Sequence, residues 1–131
     1  MKNIKKAIFL KAGWEKLSVS NKKLCHVIID AKELMDLDES SFYQIVALKV
    51  IRELLKSDAH EGLLNVPLPK NNHAFNLFLL GVQEVLPTSH KPILIIMHNP
   101  QALNQRRRDR FSEIFSLAKR GRERKIGLVL A

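Results

Sequence analysis

Four closely spaced arginines are the side chains of this sequence with the clearest chemistry. They follow an apolar run in KPILIIMHNPQALNQRRRDRF (91–111), and they are Arg106, Arg107, Arg108 and Arg110. A guanidinium keeps its charge and can bind a carboxylate or phosphate through two parallel hydrogen bonds. Near a helix N-terminus, each cation would meet the positive end of the helix dipole and lose about 0.3–1 kcal/mol. Because a bound anion would offset that cost, the cluster predicts a binding edge for an acidic protein surface or an anionic ligand.

A solvated surface helix is the alternative, and the sequence leaves both interpretations open. Two pairs of opposite charges stand three residues apart, Arg106–Asp109 and Arg110–Glu113, a spacing at which helical side chains meet. The helix could begin at Pro100, with the arginines in its second turn, or a turn later behind an Asn104 cap. Arg107 lies in line with Phe111 and Ile114. Its stem must therefore extend along apolar surface, or its charge must have a buried partner.

Other polar groups stand at the ends of two apolar runs. LCHVIID (24–30) ends in Asp30, and PILIIM (92–97) is followed by His98 and Asn99. Ligands of open parallel sheets bind beyond the carboxyl ends of the strands. We therefore expect Asp30, His98 and Asn99 to lie at one edge together with the arginines. Asp30 could serve as a general base or a metal ligand, but it is more often simply the first polar residue after a strand.

Motifs that usually carry catalysis or hold a cofactor are absent from the sequence. It contains no GxGxxG or GxxxxGK[ST] phosphate cradle and no GxSxG nucleophile elbow. The five histidines lack metal-ligand spacing, and the single cysteine, Cys25, lies in an apolar run and should be buried. We therefore expect no metal, no cofactor and no catalytic residue. A hydrolase that uses Asp30 and His98 is the least favoured hypothesis.

Apolar runs alternate with helix-period segments along the chain. Strands are expected within 5–10, 24–30, 92–97 and 126–130. Helices are expected within 36–57, over 73–86 and from about Asn104 to Gly121, with a long loop at 58–72. This alternation indicates an α/β fold, a three-layer sandwich with a mainly parallel sheet of about four to five strands. The 131 residues are expected to form a single domain, 1–131, or a trimmed part of a longer protein.

The segment 36–57 combines helix-start signals with a broad apolar surface. Its start offers capping side chains, which are Asp38, Glu39, Ser40 and Ser41. Its apolar positions are Phe42, Ile45, Val46, Leu48, Ile51, Leu54 and Leu55. They leave only a narrow polar strip, and so wide an apolar surface predicts a helix packed closely on the sheet.

Positive charge is concentrated at the two ends of the chain. Of the net charge of +9, residues 1–25 carry +6, residues 26–105 carry −3 and residues 106–131 carry +6. Basic ends favour polyanions or acidic protein surfaces, so a nucleic-acid-binding domain is the main alternative to a non-catalytic binding module. No apolar run approaches the roughly twenty residues of a membrane span. We expect a cytoplasmic protein without a membrane partner, and the sequence is compatible with a homo-oligomer.

Residues 24–131 resemble the part of AAA-type and signalling P-loop ATPases that follows the nucleotide cradle. VIIDAKELMDLDESSFYQIVALKVIREL is similar to their second strand and helix, and FNLFLLGVQEVLPTSHKPILIIMHNPQAL to the region around the Walker B element. FSEIFSLAKRGRERKIGLVLA is similar to the next helix and the sensor strand. The Walker A loop is absent, and His98 and Asn99 stand where that family carries its magnesium-binding Asp and catalytic Glu. The resemblance implies a degenerate regulatory module that binds without hydrolysing ATP.

VIIDAKELMDLDESSF also resembles a stretch of STAS domains, in which a strand ends in Asp and an Asp-Ser-Ser-like turn opens a helix eight residues later. This resemblance implies a signalling domain regulated by phosphorylation at Ser40. Ser41 stands where that pattern has Gly, and the extra helix before residue 91 fits the family poorly. Without the resemblance, Ser40 is explained as a helix cap.

Overall fold

The computed structural model of this chain describes residues 6–8, 25–56, 65–85, 92–116 and 126–131. Two sequence predictions fall elsewhere. The expected end of the last helix at Gly121 and the first part of the expected loop 58–72 lie outside the described residues.

Four strands form one sheet in the order β1-β4-β3-β2. They are β1 (Lys6–Ile8), β2 (Cys25–Asp30), β3 (Ile93–His98) and β4 (Ile126–Leu130). β3 pairs in parallel with both β2 and β4, whereas β1 pairs antiparallel with β4. Each strand overlaps an apolar run, since aliphatic and β-branched side chains pack well on a buried pleated surface. Cys25 is buried in β2, as the sequence predicted.

The helices are α1 (Glu39–Lys56), α2 (Asn72–Val85) and α3 (Gln105–Ser116), with short 3-10 turns at Ala31–Glu33 and Pro100–Ala102. The connections β2 to β3 and β3 to β4 step in the same direction across the sheet. Right-handed crossovers of that kind place their helices on the same face. Ring contacts between the helices agree with this arrangement, since Phe111 of α3 lies 5.6 Å from both Phe42 of α1 and Phe75 of α2.

The α/β class is confirmed, and the finer architecture differs from the prediction. The prediction was a mainly parallel sheet of about four to five strands; three strands of the described sheet run parallel, and β1 joins its edge antiparallel to β4. The helices of the described residues lie on one face of the sheet, so they do not establish the three layers that the sequence suggested. No helix within the described ranges is both long enough and apolar enough to cross a membrane.

Both faces of the central strands are buried. On the helix side the register aligns Val27, Ile95 and Leu128, each fully buried. On the opposite side it aligns Ile28, Ile96 and Val129. Ile96 and Val129 are buried, whereas Ile28 on the edge strand β2 is 61% exposed. Burial on both faces explains why β3 and β4 appear in the sequence as continuous apolar runs.

Asp38 caps α1, and the apolar surface of this helix is only partly used for packing. The Asp38 carboxylate accepts from the Ser41 amide at 2.8 Å, and its carbonyl accepts from the Phe42 amide. The helix packs on the sheet as predicted, with Phe42, Val46 and Leu54 among its buried side chains, but part of its apolar surface stays outside the core. Ile45, Leu48 and Leu55 point away from the core and are 36%, 46% and 39% exposed.

Candidate anion-binding site

Asn104 fixes where α3 begins and therefore where the arginines lie in it. Its side-chain oxygen accepts from the Arg107 amide at 2.8 Å, and its carbonyl accepts from the Arg108 amide at 3.0 Å. Pro100 instead begins a separate 3-10 turn. Of the two starts that the sequence allowed, the later one is confirmed. Arg106, Arg107 and Arg108 consequently occupy the first turn of α3, where the helix dipole disfavours cations and no acidic residue is present.

The ion pair expected within α3 does not relieve this conflict. In the part of the chain that the structure describes, no salt bridge joins Arg106 to Asp109. Both side chains are exposed. The solvated-helix interpretation named this pair and Arg110–Glu113 as its support, and for Arg106 the ion pair is not formed.

A cavity of about 260 Å³ lies between the start of α1 and the start of α3. Its walls are formed by Glu39 and Tyr43 from α1, and by Asn104, Arg106, Arg107 and Arg110 from the α3 region. Helical spacing explains why three of the four arginines share it, because residues three and four apart lie on the same side of a helix. The cavity thus combines three permanent cations and a helix N-terminus with a single carboxylate.

Arg107 is held in place by the residues beneath it. Its Nη1 donates a hydrogen bond to the Leu37 carbonyl oxygen, and its guanidinium carbon lies 5.3 Å from the centre of the Phe42 ring. The sequence predicted that this arginine needs either a buried partner or an extended stem, and the Leu37 carbonyl provides the partner. A guanidinium oriented on an aromatic ring loses less side-chain entropy when it binds an anion than a free one would.

Tyr43 is the buried member of the cavity wall. The residue is 1% exposed, and its ring packs edge-on against Phe42 with the centroids 5.0 Å apart. Burial, reinforced by the Glu39 carboxylate, raises the pKa of Tyr43 to about 12, although Arg110 and Arg107 act in the opposite direction. The phenol therefore remains protonated, and it can donate a hydrogen bond, throughout the physiological pH range.

Arg108 differs from the other three arginines because it does not line the cavity. Its Nη1 lies 3.5 Å from the Pro100 carbonyl oxygen, on the side of the 3-10 turn. The predicted group of four binding arginines is therefore divided by the geometry of the helix into three that converge and one that does not.

Asp30, His98 and Asn99 do come together, at the carboxyl ends of β2 and β3. Asp30 is in register with His98, and its Oδ1 accepts a hydrogen bond from Asn99 Nδ2 at 3.0 Å. The same oxygen accepts from the Lys32 amide at 3.0 Å and so caps the first 3-10 turn. Asn99 adopts a left-handed backbone conformation with φ of 55°, which a short amide side chain tolerates better than most.

The environment of Asp30 suits a structural role. Hydrogen bonds from Asn99 and then from the Lys32 amide lower the pKa of its carboxyl below the ordinary value of 3.8. A lowered pKa makes the carboxylate a weaker proton acceptor, which argues against a general base. His98 is exposed at the same edge. None of Asp30, His98 or Asn99 lines the arginine cavity.

Sequence reasoning did not assign Glu39 or Tyr43 to the site. Glu39 was named only among the capping side chains of the helix start, and Tyr43 was not singled out. A signal was nevertheless present, because the two stand four residues apart, and a tyrosine on an apolar helix face usually needs a polar partner for its hydroxyl.

Ser40 occupies the first turn of α1 but does not cap it. Asp38 provides the cap, and the Ser40 hydroxyl instead accepts a hydrogen bond from Gln44 Nε2 at 2.9 Å. The explanation of Ser40 as a helix cap is therefore wrong. Among the described residues, no three histidine, cysteine or carboxylate side chains group closely enough to hold a metal ion.

Comparisons with protein-family models, with curated proteins and with solved structures find no match for this chain. The resemblances to P-loop ATPases and to STAS domains therefore stay predictions.

Proposed function

We propose that this protein is a non-catalytic α/β binding module that engages an anionic ligand, or an acidic group on a partner protein, through the arginine cavity. The observation that carries the proposal is the convergence of Arg106, Arg107 and Arg110 on one cavity at the start of α3. Such a module would act by binding its partner and not by catalysing a reaction, which is typical of a regulatory role.

The electrostatics of the cavity support an anion as its occupant. Arg106 and Arg107 lie in the first turn of a helix that has no acidic residue there. Each such cation costs about 0.3–1 kcal/mol, and a ligand of opposite charge reverses the sign of that interaction. Backbone amides at a helix start add further hydrogen-bond donors. The arrangement destabilises the unbound chain slightly and is favourable once an anion is present.

The proposal is tested by comparing two charge-neutralised variants of the full chain. Arg106→Gln combined with Arg110→Gln removes two exposed cations from the cavity, while Arg108→Gln removes a cation of the same helix that does not line it. Inorganic phosphate and a glutamate-rich peptide are titrated into each protein at low ionic strength, with the amide signals of α3 followed by NMR. We expect the double variant to lose at least about tenfold in affinity and Arg108→Gln to change less than about threefold.

Equal weakening in both variants would mean that only the general charge of α3 matters, and it would contradict a specific cavity. If neither phosphate nor the peptide saturates the wild-type chain, the proposal that this site binds anions is overturned.

The nucleic-acid alternative is favoured by the net charge of +9. It predicts that duplex DNA binds with an affinity that falls steeply with salt, because phosphate contacts release counterions. In that case Arg108→Gln should weaken DNA binding as much as a single cavity substitution does, since every cation near the backbone counts. Insensitivity of binding to salt would argue against it.

A further inference from the structure

We propose that the arginine cavity recognises a phosphate monoester whose organic part carries a hydrogen-bond donor, with the Tyr43 hydroxyl donating to the phosphate and the Glu39 carboxylate accepting from that donor. This inference rests on the proposed function and names the class of ligand for the same site.

The positive charge and the number of donors at the cavity suit a phosphate monoester better than a carboxylate. Arg106, Arg107 and Arg110 supply three positive charges and the start of α3 adds about half a charge, while Glu39 in the cavity wall and Asp38, which acts on Arg107, each remove one. A carboxylate presents only two oxygens to the three guanidinium groups and the Tyr43 hydroxyl. A phosphate monoester carries nearly two negative charges at neutral pH and presents three terminal oxygens, enough to receive donors from several directions at once.

Tyr43 adds an observation that is independent of the arginines. The charged groups that act on its phenol are Glu39, Arg110 and Arg107, and all three line the cavity. The hydroxyl end therefore faces the cavity from a side chain that is 99% buried, given its 1% exposure. Within the described residues no hydrogen bond of this hydroxyl is found. The Tyr43 oxygen is not among the fully buried polar atoms that lack a partner, so it reaches the solvent of the cavity, where a phosphate oxygen can replace water as its acceptor.

Glu39 determines what the rest of the ligand must offer. It repels a bare anion, yet it lines the same cavity as the arginines, and in the described part of the chain no salt bridge joins it to them. A hydroxyl or ammonium group a few atoms away from the phosphate would turn this repulsion into a hydrogen bond. The volume of about 260 Å³ lies just below the range of drug-sized pockets, so it suits a phosphate and a short organic group.

The ligand class is tested with small probes of matched shape. Binding of O-phosphoethanolamine, propyl phosphate, inorganic sulfate and acetate is measured by calorimetry on the full chain at about pH 7.5. We expect O-phosphoethanolamine to bind at least about fivefold more tightly than propyl phosphate, which has the same chain length without the ammonium group, and acetate to bind most weakly. A short phosphoserine peptide, compared with free O-phosphoethanolamine, distinguishes a modified protein side chain from a free metabolite as the source of the phosphate.

Protonation of the bound phosphate provides a second readout. The second pKa of a phosphate monoester lies near 6, so its affinity should fall between about pH 7.5 and about pH 5. Sulfate remains a dianion over this range and controls for changes in the protein. The titratable and charged groups at the cavity are Glu39, Tyr43, the three arginines and Asp38, which acts on Arg107; no histidine lines the cavity, and the lowered pKa of Asp38 keeps its carboxyl ionised over this range. Equal losses for phosphate and sulfate would contradict recognition of the phosphate dianion.

Two variants test the roles of the individual side chains. Tyr43→Phe removes only the hydroxyl and should weaken O-phosphoethanolamine and propyl phosphate alike by roughly tenfold, the loss expected for one hydrogen bond to a charged group. Glu39→Gln should strengthen propyl phosphate binding, because repulsion is removed, and weaken O-phosphoethanolamine. Full affinity for phosphate in Tyr43→Phe would overturn the role of the hydroxyl.

Failure of this inference is distinguishable from failure of the proposed function. If all the anions bind, acetate as tightly as the phosphate esters, and Arg106→Gln with Arg110→Gln abolishes binding, the cavity binds anions but does not select phosphate monoesters. If no anion binds the wild-type chain, both proposals fail.

Discussion

Asn99 and Asp30 hold two strand ends together through one side-chain hydrogen bond of 3.0 Å. Asn99 adopts φ of 55°, a left-handed conformation that costs most residues about 1–2 kcal/mol. The turn after β3 can then redirect the chain into Pro100, while the Asn99 amide reaches back to Asp30. At this scale the sequence predicted the neighbours correctly, since both residues follow apolar runs. It could not predict that the Asp30 carboxylate would accept hydrogen bonds from both the Lys32 amide and the Asn99 side chain.

The Asp30 carboxylate should make the stability of the fold depend on pH. Its folded-state pKa is lower than the ordinary 3.8, so its stabilising contribution is present above that value and is lost as pH falls through the folded pKa. We expect Asp30→Asn to be less stable than the wild type at about pH 7 and almost equally stable at about pH 2, as measured by urea denaturation. A constant difference between the two proteins at both pH values would contradict this role.

The start of α3 is unfavourable in the absence of a ligand. Three arginines occupy the first turn, and the Asn104 side chain provides the cap. Arg107 gains packing through the Leu37 carbonyl and the Phe42 ring, Arg108 contacts the Pro100 carbonyl, and Arg106 is exposed. Sequence reasoning identified the conflict between these cations and the helix dipole. It could not decide whether the helix began at Pro100 or after Asn104. That one-turn difference decides whether the arginines lie in the first turn or in the second.

Reversal of one exposed charge at this helix start should stabilise the free protein. Arg106→Glu replaces a disfavoured cation with a favoured anion, and we expect the free energy of unfolding to rise by about 0.5–1 kcal/mol. Arg107→Gln serves as the contrast, because it removes a half-buried hydrogen bond and a ring contact and should cost about 1–2 kcal/mol. Both values follow from urea denaturation in buffer without multivalent anions. Destabilisation by Arg106→Glu would show that this arginine has a structural partner.

An aromatic cluster connects the three helices across the whole molecule. Its members are Phe42 and Tyr43 of α1, Phe75 of α2 and Phe111 of α3. The centroids of rings in contact lie 5.0–6.3 Å apart. Phe111 contacts each of the other three rings. The cavity lies beside this cluster, because Tyr43 belongs to both. Packing of the helices therefore fixes the wall against which the arginines converge.

Truncation of Phe111 should be among the most damaging single changes. Phe111→Ala leaves a cavity at the junction of three helices and should cost about 3–5 kcal/mol, measured by urea denaturation. Leu48→Ala is the matched control, because Leu48 is 46% exposed on the outer side of α1 and its truncation should cost less than about 1 kcal/mol. Similar losses for both variants would mean that the outer side of α1 is covered in solution.

The sequence by itself determined the local features of this protein. Apolar runs specified the strands, and capping chemistry limited α3 to two possible starts, because both depend on neighbours within a few residues. The α/β class followed from their alternation. The arginines were also identified by type and spacing alone, as cations close to a helix start.

Only the tertiary structure decided which side chains meet. Glu39 and Tyr43 face the arginines because α1 and α3 pack on the same side of the sheet, an arrangement set by the direction of the two crossovers. The hydrogen bonds from Asn99 to Asp30 and from Arg107 to Leu37 likewise join residues about seventy positions apart. Such long-range contacts depend on the packing of whole elements, which periodicity and spacing do not encode.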